Sequence, residues 1–209
     1  MDISPVERAI RYAGGFDILA TLAVIFYGIF SGLRRAPGRS VGRMSGLLRN
    51  WIIYPFASLV YFGFCYLVWK PFPFELAEGW RWLALISGSL MFFPGLAFML
   101  WGRLALGRQY FISLTMGAQL HAGHRLITEG PFALIRHPMY FGFLMTGLGG
   151  ILIYRTWTWV FIVINYFGLA LRARREEQVL AVEFGAQWQS YSRRVPGMIP
   201  FMKRPRWYR

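Results

Sequence analysis

Apolar residues in this chain gather into long runs, and short polar stretches divide those runs into five. The first extends from about Phe16 to Leu33, the second from about Trp51 to Trp69, and the third from about Trp82 to Leu100. Each approaches the roughly 20 apolar residues that cross about 30 Å of hydrocarbon. A fourth run, from about Pro138 to Tyr154, is followed after Arg155-Thr156 by a fifth, from about Trp157 to Leu171. So short a break predicts a tight helical hairpin. Between Gly102 and Arg136 the pattern turns polar and weakly amphipathic, over a length unusual for an idle loop. There, Phe111 to Thr115 and Leu126 to Thr128 are compatible with short strands or with irregular packing. Beyond the fifth run, Leu180, Phe184, Trp188, Tyr191 and Val195 recur at helical spacing, which predicts an amphipathic helix with Gly185 as its weak point. Its aromatic stripe is expected to pack on the membrane face or on the long loop, and Pro196 to Pro200 end it.

The fold expected from this pattern is an all-α integral membrane domain. It has five transmembrane helices, the last two a helical hairpin, and a cytosolic C-terminal amphipathic helix. Composition agrees: of 209 residues, 56% are hydrophobic and 15% charged, too few charges for a chain that water alone keeps in solution.

Basic residues orient the spans, because loops rich in Lys and Arg stay cytosolic. Arg34, Arg35, Arg39, Arg43 and Arg49 fill the first loop, and Arg103, Arg108, Arg125 and Arg136 lie between spans three and four. The stretch after Leu171 adds Arg172, Arg174, Arg175, Arg193, Arg194, Lys203, Arg204, Arg206 and Arg209. Only Arg8, Arg11, Lys70, Arg81 and Arg155 fall on the opposite side, so the N-terminus is expected outside and the C-terminus cytosolic, in a plasma (inner) membrane or an endomembrane. The net charge of +14 is spread through juxtamembrane loops, a distribution that suits anionic lipid headgroups and not nucleic acid. A single cysteine, Cys65, rules out an intrachain disulfide. Asp2 and Glu7 offset Arg8 and Arg11, which reads as a retained anchor instead of a cleaved signal.

Candidate chemistry gathers in two places. In Gly130-Pro-Phe-Ala-Leu-Ile-Arg-His-Pro-Met-Tyr-Phe-Gly142, Pro138 suits the first helical position and pushes His137 out of helical geometry. A helix beginning there turns its unpaired N–H groups toward the interface, where they can hold a carboxylate or phosphate. The second place is Leu-Arg-Ala-Arg-Arg-Glu-Glu, residues 171–177, where Arg172 and Glu176 share a helical face. They form either an interfacial ion pair or a bipolar site in which Glu176 meets an ammonium and Arg172 a carboxylate. His121 and His124 have His-x-x-His spacing without cysteine or acidic partners close by, so no metal is expected. Gly147-Leu-Gly-Gly150 and Gly28-Ile-Phe-Ser-Gly32 read as sites of close helix packing.

Taken together, His124-Arg-Leu-Ile-Thr-Glu-Gly-Pro-Phe132, Arg136-His-Pro-Met-Tyr140 with Gly142, Arg172 with Glu176-Glu177, Phe184-Gly185, Tyr191 and Arg194-Val-Pro-Gly-Met-Ile-Pro-Phe201 resemble the isoprenylcysteine carboxyl methyltransferase family of integral membrane enzymes. The resemblance covers about residues 121–202, and the first three spans share only general hydropathy with it. It implies methyl transfer from S-adenosylmethionine to a lipophilic acceptor, foremost a prenylcysteine-like carboxylate, with residues 1–101 as a three-span part and 102–209 as the cofactor-binding catalytic part. Carried over by position, cofactor contacts fall on His124, Arg125, Leu126 and Ile127, on Phe132, on His137, Pro138, Met139 and Tyr140, and on Glu176. Arg172 falls beside the acceptor, and His137 or Glu177 could assist an acceptor that must lose a proton. Phe132 departs from the tyrosine frequent in relatives, which removes a phenolic hydrogen bond but keeps the ring.

Three other readings compete. A phospholipid N-methyltransferase or small-thiol S-methyltransferase would share the cofactor site. A membrane NADPH reductase carries a related Arg-His-Pro segment, but usually with asparagine where this chain has Met139 and an acidic residue near Phe143. A haem or scaffold protein would need histidines facing one another within spans, whereas all three lie in predicted cytosolic segments.

Overall fold

The computed structural model describes residues 3–34, 37–41, 50–110, 112–114 and 117–199. Arg35, Arg43, Arg49, Phe111, Thr115, Pro200, Phe201 and the basic tail Lys203, Arg204, Arg206 and Arg209 lie outside these residues. The chain is mostly helical. Helix α1 (Ser4–Leu33) leads to strand β1 (Pro37–Val41), then α2 (Ile53–Leu67) and α3 (Glu78–Leu106). After a short turn come β2 (Ile112–Leu114), β3 (Gly117–His121), the single turn α4 (Pro131–Leu134), α5 (Pro138–Tyr154), α6 (Trp157–Ile164) and α7 (Tyr166–Arg194). Among the described residues two helices, α1 and α3 with its following turn, are long and apolar enough to cross a membrane, while α2 and α5 are shorter apolar helices.

The centre of the fold is the antiparallel pair of α3 and α5, which meet through glycines. A Cβ on Gly95 would lie 2.9 Å from the Gly142 carbonyl oxygen, and one on Gly149 would lie 2.6 Å from that of Gly88. Backbone therefore packs on backbone along this seam, as small residues allow where no hydrophobic drive separates helix from lipid. Gly147 and Gly150 give the same close approach to Val163 and Trp159 of α6, so the packing role expected of this glycine stretch holds. Around the seam, Ile3, Leu85, Phe92, Leu96, Ile153 and Trp159 form the buried core. Outward, α1 and α2 expose Phe16, Leu19, Tyr27, Phe56, Leu59 and Leu67, as a bilayer-facing surface would.

Three features depart from the sequence pattern. The all-α expectation omits a small three-stranded antiparallel sheet, ordered β1-β3-β2, in which Ser40 and Ile112 both lie opposite Gln119. Phe111 to Thr115 does contain β2, but Leu126 to Thr128 forms no strand, and the central strand comes instead from Gly117–His121. The fifth apolar run is not one helix. It breaks at Asn165, whose side-chain amide donates to the Phe161 carbonyl oxygen at 2.7 Å, and its second half opens α7. Gly185 is indeed the weak point of α7, with φ of 47° in the left-handed region open to glycine.

One end of the bundle is tied by charge. Glu7, 5% exposed, accepts from Arg11 at 2.6 Å, from Arg81 at 2.7 Å and from Arg155. Beside it the Phe72 N–H donates to the Arg155 carbonyl oxygen, and the Trp157 N–H to that of Lys70. The first loop, the long connection and α7 meet at the other end, where Val179 packs on Ala118 and Leu120 of β3.

Candidate active site

The start of α5 forms as its sequence dictates. Pro138 holds His137 at φ −123° and ψ 63°, outside the helical region, so the helix begins at the proline. The polypeptide after α7 then folds back onto this point. The Arg136 N–H donates to the Pro196 carbonyl oxygen at 2.9 Å and the His137 N–H to that of Gly197 at 3.2 Å. A Cβ at Gly197 would stand 3.0 Å from the Arg136 guanidinium, so the strap lies close over that side chain.

Helix α7 supplies two adjacent carboxylates with different surroundings. Glu177 receives Arg136 at 2.6 Å and the His137 Nε2 at 3.0 Å. Burial pushes the Glu177 carboxyl up, yet His137 and Arg136 together outweigh it and hold the group below the usual carboxylate range. Glu176 accepts the Tyr140 hydroxyl at 2.5 Å and the Arg172 Nε–H at 3.3 Å, both through Oε1, while Oε2 lies 3.6 Å from the His137 Nδ1. The His137 and Tyr140 rings stack within 6° of parallel. Burial lowers the basicity of Arg172, but Tyr140, Glu176 and Tyr110 more than restore it and fix the guanidinium as a cation.

These groups face a cleft of about 720 Å³, counting its solvent-open part. His124, Leu126, Ile127, Phe132, His137, Pro138, Met139, Tyr140, Arg172 and Glu176 all line it. Arg125 is the exception: it is exposed, and its backbone N–H donates to the Gln109 side chain at 2.9 Å. Phe132 is buried, and its carbonyl oxygen accepts the Tyr191 hydroxyl at 2.8 Å. Burial, with His121 nearby, pushes the His124 imidazole down to about 4 despite Glu183. The His121 Nε2 lies 2.7 Å from the Tyr110 carbonyl oxygen, and among the described residues no three His, Cys, Asp or Glu side chains gather as metal ligands.

Sequence reasoning missed Leu106, Tyr110, Arg136, Leu180, Trp188 and Tyr191 as walls of the cleft. The aromatic stripe of α7 packs on the long connection as expected, but Trp188 and Tyr191 also close the site, with Arg136 5.7 Å from the Trp188 ring. Their helical spacing was a signal for burial, with nothing to distinguish a core from a wall.

Such a cleft offers complementary groups to a small zwitterionic ligand. Glu176 presents a carboxylate to a cation, the α5 N-terminus a positive dipole end to an anion, and Phe132, Tyr140 and Trp188 supply walls for a flat ring. Fold and site thus define a mostly helical protein with two candidate membrane-spanning helices and a largely apolar pocket, carrying a few charged groups, at one end of its bundle. Residues 88–182 match the model of the isoprenylcysteine carboxyl methyltransferase (ICMT) family. Protein-S-isoprenylcysteine O-methyltransferase B of Arabidopsis thaliana is 37% identical over 81 residues, 38% of this chain and 41% of the relative. The Schizosaccharomyces pombe protein-S-isoprenylcysteine O-methyltransferase is 32% identical over 81 residues, 38% of this chain and 34% of its own length. Protein-S-isoprenylcysteine O-methyltransferase A of Arabidopsis thaliana is 28% identical over 124 residues, 58% of this chain and 62% of its own. In each case the match spans less than two thirds of the relative.

Proposed function

We propose that this chain is an integral membrane methyltransferase that moves a methyl group from S-adenosylmethionine to a lipophilic acceptor, foremost the carboxylate of a prenylcysteine-like substrate. The observation that carries this reading is the meeting of Tyr140, from the start of α5, with Glu176 and Arg172, from α7, on one wall of the cleft. The match of residues 88–182 to the family model and the relatives' names support the acceptor. The division of labour is residues 1–101 for the three-span part and 102–209 for the catalytic part.

When bound, S-adenosylmethionine supplies an electrophilic methyl on a sulfonium, with a thioether as leaving group. Glu176 holds the ammonium and the first turn of α5 faces the carboxylate. Arg172 binds and aims the acceptor carboxylate, which already carries the negative charge it needs, so no residue has to remove a proton. Phe132, Trp188 and Tyr191 exclude water, and alignment in a dry site supplies much of the acceleration. His137, held between Glu177 and Glu176, keeps the Tyr140 ring in place by stacking.

Five membrane crossings with the N-terminus outside and the C-terminus cytosolic complete the proposal. The placement of Arg11, Arg81, Arg155 and Lys70 at one end supports it, since the site and the β-sheet occupy the other. Sideways entry of the acceptor from the bilayer follows from a site at the membrane surface. Transfer of a labelled methyl group into a panel of prenylcysteine, phospholipid and thiol acceptors tests the function. Label in the prenylcysteine carboxyl is the expected result, and label only in a phospholipid amine or a thiol overturns the acceptor. Arg172→Ala is expected to lower acceptor turnover by at least about tenfold while leaving cofactor affinity within about twofold.

A further inference from the structure

At the end of the bundle away from the cleft, Arg11 and Arg155 share one carboxylate oxygen, Glu7 Oε1, while Arg81 takes Oε2. A guanidinium carries about five N–H donors and a whole carboxylate only about four acceptor sites, so the two arginines keep positive charge and donors in excess. Arg155 is the enclosed member of the pair, and its Nη1 is buried with no hydrogen-bond partner among the described residues. Arg11 is the outward one. Its Nε–H donates to the Ile153 carbonyl oxygen at 3.0 Å and its Nη2 to Glu7 at 2.6 Å, which fixes the guanidinium and leaves Nη1 on a side chain 35% exposed.

Depth decides what that group meets. Arg81 stands immediately before the third apolar run, Arg155 between the fourth and fifth, and Arg11 little more than a helical turn before the first. With those runs in hydrocarbon, the three arginines lie at the level of the headgroups. Their flanks suit the same level: Tyr12 follows Arg11, Trp80 precedes Arg81, Trp157 lies just beyond Arg155, and all three are exposed, as are Trp69, Lys70 and Phe74. The rings join onto the cluster. Trp69 packs 5.9 Å from Tyr154, whose hydroxyl donates to the Arg11 carbonyl oxygen at 2.8 Å, and Trp157 packs edge-on 5.2 Å from Phe72. Exposed tryptophan and tyrosine around basic groups are the pattern of a membrane interface, whereas a soluble anion has no use for them.

We propose that Arg11, backed by the charge of Arg155, binds the phosphate of an anionic phospholipid headgroup at this end of the bundle. The inference rests on the membrane placement proposed above and is independent of methyl transfer. Contact is at the rim and needs no cavity: Arg11 Nη1 donates to a phosphate oxygen, the aromatic rings lie along the glycerol and the upper acyl chains, and Glu7 holds the arginines together.

The test uses the full chain in phosphatidylcholine nanodiscs that carry a minor share of phosphatidylglycerol with a photoreactive headgroup. Adducts on Tyr12, Trp69, Trp80 or Trp157 are the expected result, and adducts confined to the basic residues of the cleft end, such as Arg193 and Arg194, would overturn the site. This crosslink needs no variant, so it decides the matter even where a substitution prevents folding. Failure of the chain to enter nanodiscs would sink the membrane placement and the lipid with it, whereas entry without those adducts sinks the lipid site alone. Native mass spectrometry then measures affinity. Wild-type protein is expected to prefer phosphatidylglycerol over phosphatidylcholine by about fivefold, the order for one basic residue at an anionic surface, and Arg11→Gln to lose that preference. Arg193→Gln removes the same charge from the other end and should leave the preference within about twofold. Equal losses in the two variants would reduce the effect to net charge and refute the site. Glu7→Gln carries the opposite sign: without the internal counter-charge, phosphatidylglycerol affinity should rise about fivefold even as the melting temperature falls, and unraised affinity counts against the proposal. Inorganic phosphate at the concentration of the lipid is expected not to compete, and effective competition would assign the site to a soluble anion instead.

Discussion

The two ends of the bundle use the same residue types to opposite ends. At one, a single carboxylate, Glu7, is shared by Arg11, Arg81 and Arg155, which reach it from α1, α3 and the turn between α5 and α6. The contacts from Arg81 and Arg155 join elements, and the carboxylate is spent on holding them. At the other end, two adjacent carboxylates divide the work. Glu177 is enclosed by Arg136 and His137, whereas Glu176 shares one oxygen between Tyr140 and Arg172 and lines the cleft. An arginine–glutamate pair alone thus says nothing about function. What separates a clamp from a small-molecule site is whether a cavity adjoins it.

Substitutions should tell the ends apart. Glu7→Ala takes the shared carboxylate from three partly exposed guanidiniums and is expected to cost about 2–3 kcal/mol of stability, read as a fall in melting temperature, with turnover per folded molecule unchanged. A matching fall in turnover would erase the distinction between the ends. Glu176→Gln should do the reverse, weakening S-adenosylmethionine binding about ten- to a hundredfold in calorimetry while the melting temperature stays within a few degrees. Unchanged affinity would remove Glu176 from the site. Glu177→Gln keeps an acceptor but loses the charge facing Arg136, and should fall between them, at about 1–2 kcal/mol of stability together with a drop in turnover.

The smallest effect is a pH slope. The folded imidazole of His124 titrates near 4 instead of its ordinary value near 6.5, so between those values the unfolded chain binds a proton that the folded chain refuses. Stability from this group is complete above pH 6.5 and falls as pH drops toward 4. Melting temperatures followed from pH 7 to 5 should decline, and His124→Gln should flatten the decline. Glu177, whose carboxyl is held low, loses its contribution only at still lower pH.

How much of this was legible beforehand depended on whether the signal was local. Helix α5 runs from Pro138 to Tyr154, as the sequence predicts, because a proline opens it and Arg155 closes it in the left-handed region. Helices α1 and α3 extend past their apolar runs, to Ser4 and to Leu106, since hydropathy marks what lipid tolerates and says little about where helical hydrogen bonding stops. Of the sheet only β2 was anticipated; the pairing of β1 with β3 could not be foreseen, because Pro37–Val41 meets a strand some eighty residues away and neither carries a strand-like alternation. At the site, Arg172 with Glu176 was visible as a one-turn spacing. Arg136 with Glu177 was not, for 41 positions separate them and only the fold joins them. Tyr110 escaped notice for the same reason.

The glycine seam between α3 and α5 has a consequence for how the pocket can evolve. Gly88, Gly95 and Gly102 fall every seventh residue, and the last of them abuts Pro138 and Met139, the opening residues of α5. Backbone interlocked at that interval permits one rotational phase of one helix against the other. A single inserted residue between Gly142 and Gly149 would turn the preceding segment by about 100°, swinging Tyr140 away from Glu176 even with every pocket side chain intact. Natural length variation in these two helices should therefore come in whole repeats of seven, or not at all.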